Sequence, residues 1–128
     1  MARILLAEDE TQIADMIAFK LTNSGHQVIR AADGEQALQM ALSDPPDLIM
    51  LDAMMPALSG FEVLRRLKAD EMVRAVPVIM VTAKGHERDV LRGLRGGAVD
   101  YVVKPFSLKE LAARVELALS KEAPPTPP

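Results

Sequence analysis

The sequence predicts an α/β domain, a parallel sheet of five strands with helices on both faces. Two observations carry this. Short aliphatic runs alternate five times with stretches whose apolar residues recur at helical spacing. The central runs, Leu48–Leu51 and Val78–Val81, contain no polar residue. Strands buried on both faces require that pattern, whereas half-exposed strands alternate. A length of 128 residues, 49% of them apolar, suits a single core.

The elements follow in order. Ile4–Ala7 reads as the first strand, and Thr11–Asn23 as a helix with Ile13, Met16, Ile17 and Leu21 on one stripe. Gly25 stops it. Val28–Ala31 is a weaker second strand. Asp33 caps a helix running to Ser43, with Ala37, Leu38, Ala41 and Leu42 facing inward, and Pro45-Pro46 ends it. Leu48–Leu51 is the third strand and runs directly into Asp52. A loop from Ala53 to Ser59 follows. Ser59-Gly60-Phe61-Glu62 has capping-box form and opens a helix with Phe61, Leu64 and Leu67 inward. Val78–Val81 is the fourth strand and meets Thr82. A fourth helix, about His86 to Leu94, stops at Gly96-Gly97. Tyr101–Val103 is the fifth strand and ends at Lys104-Pro105. Ser107-Leu108-Lys109-Glu110 is a second capping box, and Leu108, Leu111, Ala112, Val115 and Leu119 form the buried stripe of the last helix. Residues 1–121 make the domain, and 122–128 read as a Pro-rich tail or the start of an interdomain linker.

Composition excludes several classes of function. With no cysteine, thiolate metal sites and cysteine nucleophiles are ruled out. Fifteen basic against 18 acidic residues give a net charge of −3, which argues against direct nucleic-acid binding by this domain. No apolar run approaches the roughly 18 residues of a membrane span. Met1-Ala-Arg-Ile-Leu-Leu-Ala7 reaches Glu8-Asp9-Glu10 too soon for a signal peptide, so the expectation is a cytoplasmic domain.

Ligands of open α/β sheets bind beyond the carboxyl ends of the strands. Past the first strand lie Glu8, Asp9 and Glu10; past the third, Asp52; past the fourth, Thr82; past the fifth, Lys104. Gathered carboxylates repel one another, so a cation belongs among them. Oxygen ligands without His or Cys favour a hard ion, Mg²⁺ or Mn²⁺. A carboxylate can also attack phosphorus and form an acyl phosphate. The metal and Lys104 would then neutralise the phosphoryl oxygens while Thr82 donates a hydrogen bond. Singly, each acid could be a helix cap and Lys104 a solvated lysine. Four such residues at matching strand ends are poorly explained as four separate caps.

The pattern Ile4-Leu-Leu-Ala-Glu-Asp-Glu10, Asp52-Ala-Met-Met-Pro56 with Gly60, Val81-Thr-Ala83 and Asp100-Tyr-Val-Val-Lys-Pro-Phe106 resembles the receiver domain of bacterial response regulators over residues 3–120. The resemblance implies a flavodoxin-like (βα)5 fold with strand order 2-1-3-4-5. It implies a phosphorelay module, not an enzyme in its own right, that takes a phosphoryl group from a histidine kinase or histidine phosphotransfer protein and signals to an output partner. Asp52 is the implied phosphoacceptor. Asp9 is the implied direct Mg²⁺ ligand, with Glu8 acting through water and the Met54 carbonyl completing the set. Lys104, Thr82 and the Ala83 backbone N–H would hold the phosphoryl group, Thr82 and Tyr101 would switch, and Lys104-Pro105 would be cis. The acidic pair is Glu-Asp here rather than Asp-Asp.

Two other classes fit less well. A haloacid-dehalogenase-type phosphatase needs a second Asp where Met54 stands, and a flavodoxin-like electron carrier needs a phosphate loop where Glu8-Asp9-Glu10 would repel FMN. Lesser features have plainer readings. Arg88, Arg92 and Arg95 form a basic stripe, either a solvated face or a contact for an acidic partner. The Met54 and Met55 side chains read as packing, and His26 and His86 as surface residues. Met54 and Lys84 stand where family behaviour places control of phosphoryl lifetime. Asp100, Glu110 and Arg114 match charges through which related regulators dimerise, but Val90 and Val99 replace others. A monomer or a weak phosphorylation-dependent dimer is therefore expected, and Glu110 and Arg114 could equally form a pair within one helix.

Overall fold

A computed structural model describes residues 1–83 and 87–120, without the side chains of Glu87 and Asp89. The elements are β1 (Arg3–Ala7), α1 (Thr11–Asn23), β2 (Gln27–Ala31), α2 (Gly34–Ser43), β3 (Leu48–Asp52), α3 (Gly60–Ala69), β4 (Val78–Ala83), α4 (Glu87–Arg95), β5 (Asp100–Lys104) and α5 (Leu108–Ser120). The five strands form one sheet in the order β2-β1-β3-β4-β5, and every pairing is parallel. This is the expected architecture.

The pleat divides the aliphatic strands between two layers, because successive side chains point to opposite faces. Leu5, Ile49, Leu51 and Met80 pack with Ala37, Leu64 and Leu67 of α2 and α3 on one side. Ile4, Leu6, Met50 and Ile79 pack with Ile17, Leu21 and Leu111 of α1 and α5 on the other. All five residues of β3 are buried, while edge strand β2 is largely half-exposed. That difference is why the third run is aliphatic throughout and the second reads weakly.

Several local expectations need correction. Met16 and Leu42 are 52% and 41% exposed, because the inward stripes of α1 and α2 are narrower than the run of apolar residues. The inner contacts are Ala14, Ile17 and Leu21 on α1, and Ala37, Leu38 and Ala41 on α2. The Met54 side chain is 64% exposed and does not serve as packing, whereas Met55 packs against the α2/α3 layer. His26 is not a surface residue. Its ring is buried, with Nδ1 accepting the Ala2 N–H at 3.1 Å and Nε2 3.1 Å from Glu116. With Nδ1 accepting, the ring hydrogen lies on Nε2 and donates to Glu116, which satisfies the histidine without water. The expectations for Lys84, His86 and residues 122–128 lie outside the described residues.

Both Ser-x-x-Glu sequences cap in one direction only. Ser59 Oγ accepts the Glu62 N–H and Ser107 Oγ accepts the Glu110 N–H, each at 3.2 Å. The glutamates turn away toward arginines: Glu62 to Arg65 and Arg66, Glu110 to Arg114. Two arginines beside Glu62 hold its carboxyl down at about 2. The β3–α3 turn is closely packed. Ala53 N–H donates to the Val81 carbonyl at 2.8 Å and Gly60 N–H to the Ala53 carbonyl at 3.0 Å. A Cβ on Gly60 would overlap the Asp52 carbonyl, so only glycine lets α3 start this close to the end of β3.

Candidate functional site

Parallel pairing brings the carboxyl ends of four strands to one edge. Ala7 pairs with Leu51, so Glu8 leaves β1 beside Asp52. Asp52 pairs with Val81, and Ala83 with Lys104. Lys104, last on β5, reaches back across β4 to the acids. Its Nζ lies 3.1 Å from Asp52 Oδ2, 3.3 Å from Glu8 Oε2 and 3.2 Å from Glu10 Oε1. The second Asp52 oxygen, Oδ1, accepts the Met54 N–H at 3.2 Å, so both carboxylate oxygens are fixed.

Three carboxylates against one ammonium leave the cluster short of positive charge. The Glu8 side chain is fully buried and that of Asp52 is 7% exposed, so water screens little of this. The deficit appears at Glu8, whose pKa is raised to about 7 by burial and then by Asp52 beside it. Burial acts to lower the Lys104 pKa, but Glu8 and Asp52 outweigh it and hold the ammonium protonated. Glu8 Oε1 lies 3.1 Å from Lys104 Nζ but outside hydrogen-bonding geometry, and has no other partner among the described residues. Thr82 Oγ1 is also buried and unpartnered among them, in a residue only 1% exposed. Such orphaned atoms cost free energy unless something binds there.

The expected site residues are not all drawn into this cluster. Glu8, Asp52 and Lys104 converge, with Thr82 buried at the end of β4 beside them. Asp9 is exposed and stands outside the triad whose oxygens lie within 4.8 Å of one another. The third member of that triad is Glu10, to which sequence reasoning gave no role. A signal was present: Glu10 occupies the N-cap position of α1, where Glu is not among the favoured caps. Ala83 is exposed, and the Lys104-Pro105 peptide is cis. Tyr101 is half-buried on β5, packed against the α2/α3 layer, with the Arg114 guanidinium 6.0 Å from its ring centre.

The site is thus a buried acid at the end of β3, bonded to a lysine and flanked by a further buried acid and a buried hydroxyl. Residues 4–116 match the family described as response regulator receiver domain. The chain belongs to that family. Among relatives, this receiver domain is 44% identical over 122 residues to the phosphate regulon transcriptional regulatory protein PhoB of Escherichia coli, covering 95% of this chain and 53% of that protein. It is 41% identical to the DNA-binding dual master transcriptional regulator RpaA of Synechocystis, over 94% of this chain and 50% of that one. The chain therefore spans about half the length of the curated relatives it matches. Among solved structures, a putative response regulator from Chloroflexus aurantiacus superposes with a TM-score of 0.90 at 33% identity, covering 93% of this chain and 98% of that one. Chemotaxis protein CheY4 of Vibrio cholerae superposes at 0.85 with 30% identity, covering 92% and 98%. Receiver domains generally use Mg²⁺, and the donors here fit a hard divalent ion. They are carboxylate oxygens, one orphaned in the interior, with no His or Cys in the cluster.

Proposed function

We propose that Asp52 of this receiver domain accepts a phosphoryl group from a histidine kinase or histidine phosphotransfer protein. The observation that carries this reading is Lys104 bonded to Asp52 beside a buried Thr82 hydroxyl that has no partner among the described residues. An Asp52 carboxylate oxygen attacks phosphorus. The bond from phosphorus to Asp52 forms, the bond to the donor nitrogen breaks, and that nitrogen leaves with the electron pair and takes a proton. Lys104 neutralises charge on the transferred oxygens, and Thr82 Oγ1 and the Ala83 N–H donate to them. Asp9, turned in from its exposed position outside the carboxylate cluster, would hold Mg²⁺ directly with Asp52 and the Met54 carbonyl, and Glu8 would hold it through water; the ion would supply the positive charge that the cluster lacks. The acceptor and its neutralising groups belong to the domain itself, so a small acyl phosphate suffices as donor.

Filling the orphaned Thr82 hydroxyl draws it toward the new phosphoryl oxygens, and Tyr101 follows into the space released. The altered face then reports to an output partner. Because the chain matches about half of proteins named as transcriptional regulators, an output of that kind elsewhere in the full protein is the favoured reading. Incubation with acetyl phosphate and Mg²⁺, followed by intact-mass measurement, tests the proposal. A gain of one hydroxylamine-labile phosphoryl group that EDTA prevents is expected. Equal labelling in EDTA would contradict it.

A further inference from the structure

We propose that Glu10 is a positioning residue that guards the mouth of the phosphoacceptor site and discriminates among phosphodonors by their charge; this rests on the reading of Asp52 given above. Three observations point to it. Glu10 is the N-cap residue of α1, yet its side chain makes no capping bond to the helix. Instead its Oε1 lies 3.2 Å from Lys104 Nζ, and its own N–H donates to Glu8 Oε2 at 3.2 Å. The side chain is 61% exposed, whereas those of the other two carboxylates on Lys104 are 0% and 7% exposed.

The arrangement assigns different work to the three acids. Glu8 and Asp52 hold Lys104 from inside, and Glu10 holds it from the solvent side. A donor entering from solvent meets the Glu10 carboxylate as it approaches the lysine. That negative charge opposes an anionic donor and competes with its phosphoryl oxygens for the lysine. Because the group is exposed, the opposition is Coulombic, scales with donor charge and is screened by salt. A histidine-borne phosphoryl group, presented by a protein with its own surface, can carry a cation to Glu10 and remove the obstacle. A small dianion cannot.

Two small donors of different charge separate this from a structural role. Acetyl phosphate is a dianion at neutral pH; its phosphorus–oxygen bond breaks as Asp52 attacks, and acetate leaves with the electron pair. Phosphoramidate is a net monoanion; its phosphorus–nitrogen bond breaks and ammonia leaves, carrying the proton already on nitrogen. Rates of intact-mass gain at saturating Mg²⁺ are measured for the unaltered domain, Glu10→Gln and Glu10→Lys. Glu10→Gln is expected to raise the acetyl phosphate rate about four-fold and the phosphoramidate rate about two-fold, since the logarithm of the effect follows donor charge. Glu10→Lys extends both, and about 1 M salt shrinks the differences.

Equal changes for both donors, or a salt-independent change, would overturn the inference. So would slower labelling restored by more Mg²⁺, which would make Glu10 a metal ligand instead. Absence of mass gain in the unaltered domain would overturn the Asp52 reading and this inference with it. Normal gain with no response to Glu10 substitution would overturn this inference alone.

Discussion

Glu8 shows how the charge deficit of the site becomes measurable. Its pKa is raised from 4.5 to about 7, first by burial and then by Asp52, so the folded domain holds a proton there that the unfolded chain has released. An acid raised in this way favours folding below its unfolded pKa, and that contribution is lost as pH rises through the folded value. The metal-free domain is therefore expected to lose stability between about pH 4.5 and 7. Denaturant melts in EDTA check this, and Glu8→Gln should flatten that part of the profile. A profile unchanged by Glu8→Gln would show that the proton is elsewhere. Thr82 gives a second prediction at this scale. Its Oγ1 is buried without a partner among the described residues, so Thr82→Val removes a desolvated hydroxyl and should stabilise the unphosphorylated domain by about 1 kcal/mol. The same change should weaken the response to phosphorylation. Destabilisation by Thr82→Val would mean that the hydroxyl is satisfied after all.

The residues of this site were legible in the sequence because strand ends can be read from where aliphatic runs stop. Ile4–Ala7, Leu48–Leu51 and Val78–Val81 each stop at a polar residue, Glu8, Asp52 and Thr82, and parallel pairing brings those ends together. In the sequence Glu10 is only one acid in a run, because a run does not say which side chains turn toward a lysine 94 positions away. The burial of His26 is hidden in the sequence for a similar reason. Its partners, Ala2 and Glu116, come from the start of the chain and from the last helix.

At the level of elements, helical periodicity locates α1, α2 and α5 but overstates the width of the buried stripes of α1 and α2. Met16 and Leu42 adjoin those stripes without joining them. The α4–β5–α5 face is where element-scale reading decides a property. Arg114 is already engaged within its own chain, 2.9 Å from Asp100 and 3.1 Å from Glu110. Val99 and Leu117 are exposed on or beside the same face, and Val90 is half-buried on α4. With Arg114 engaged inside its own chain and valines at positions 90 and 99, this face is not expected to hold a second copy tightly. Exposed pairs of this kind contribute only about 0.2–1 kcal/mol each. Sedimentation velocity should show a monomer, with at most weak dimer formation after addition of beryllofluoride as a phosphoryl mimic. A tight dimer before that addition would contradict this account of the face.

The whole molecule joins two apolar layers through a sheet whose carboxyl edge holds the only buried acids among the described residues, Glu8 and Asp52. The α2/α3 layer carries Tyr101 and the other carries α1, whose first turn begins just past Glu10, so both layers meet at Asp52 through the strand ends. A charge placed on Asp52 is therefore expected to act first on Lys104 and Glu8, which lie beside it. Everything in the functional account depends on that one carboxylate being the acceptor. The most direct measurement is the intact mass of the domain and of Asp52→Asn after incubation with acetyl phosphate and Mg²⁺. Asparagine keeps the size of the side chain and removes the nucleophile. The unaltered domain should gain one phosphoryl group and Asp52→Asn none, whereas undiminished labelling of the variant would contradict the assignment.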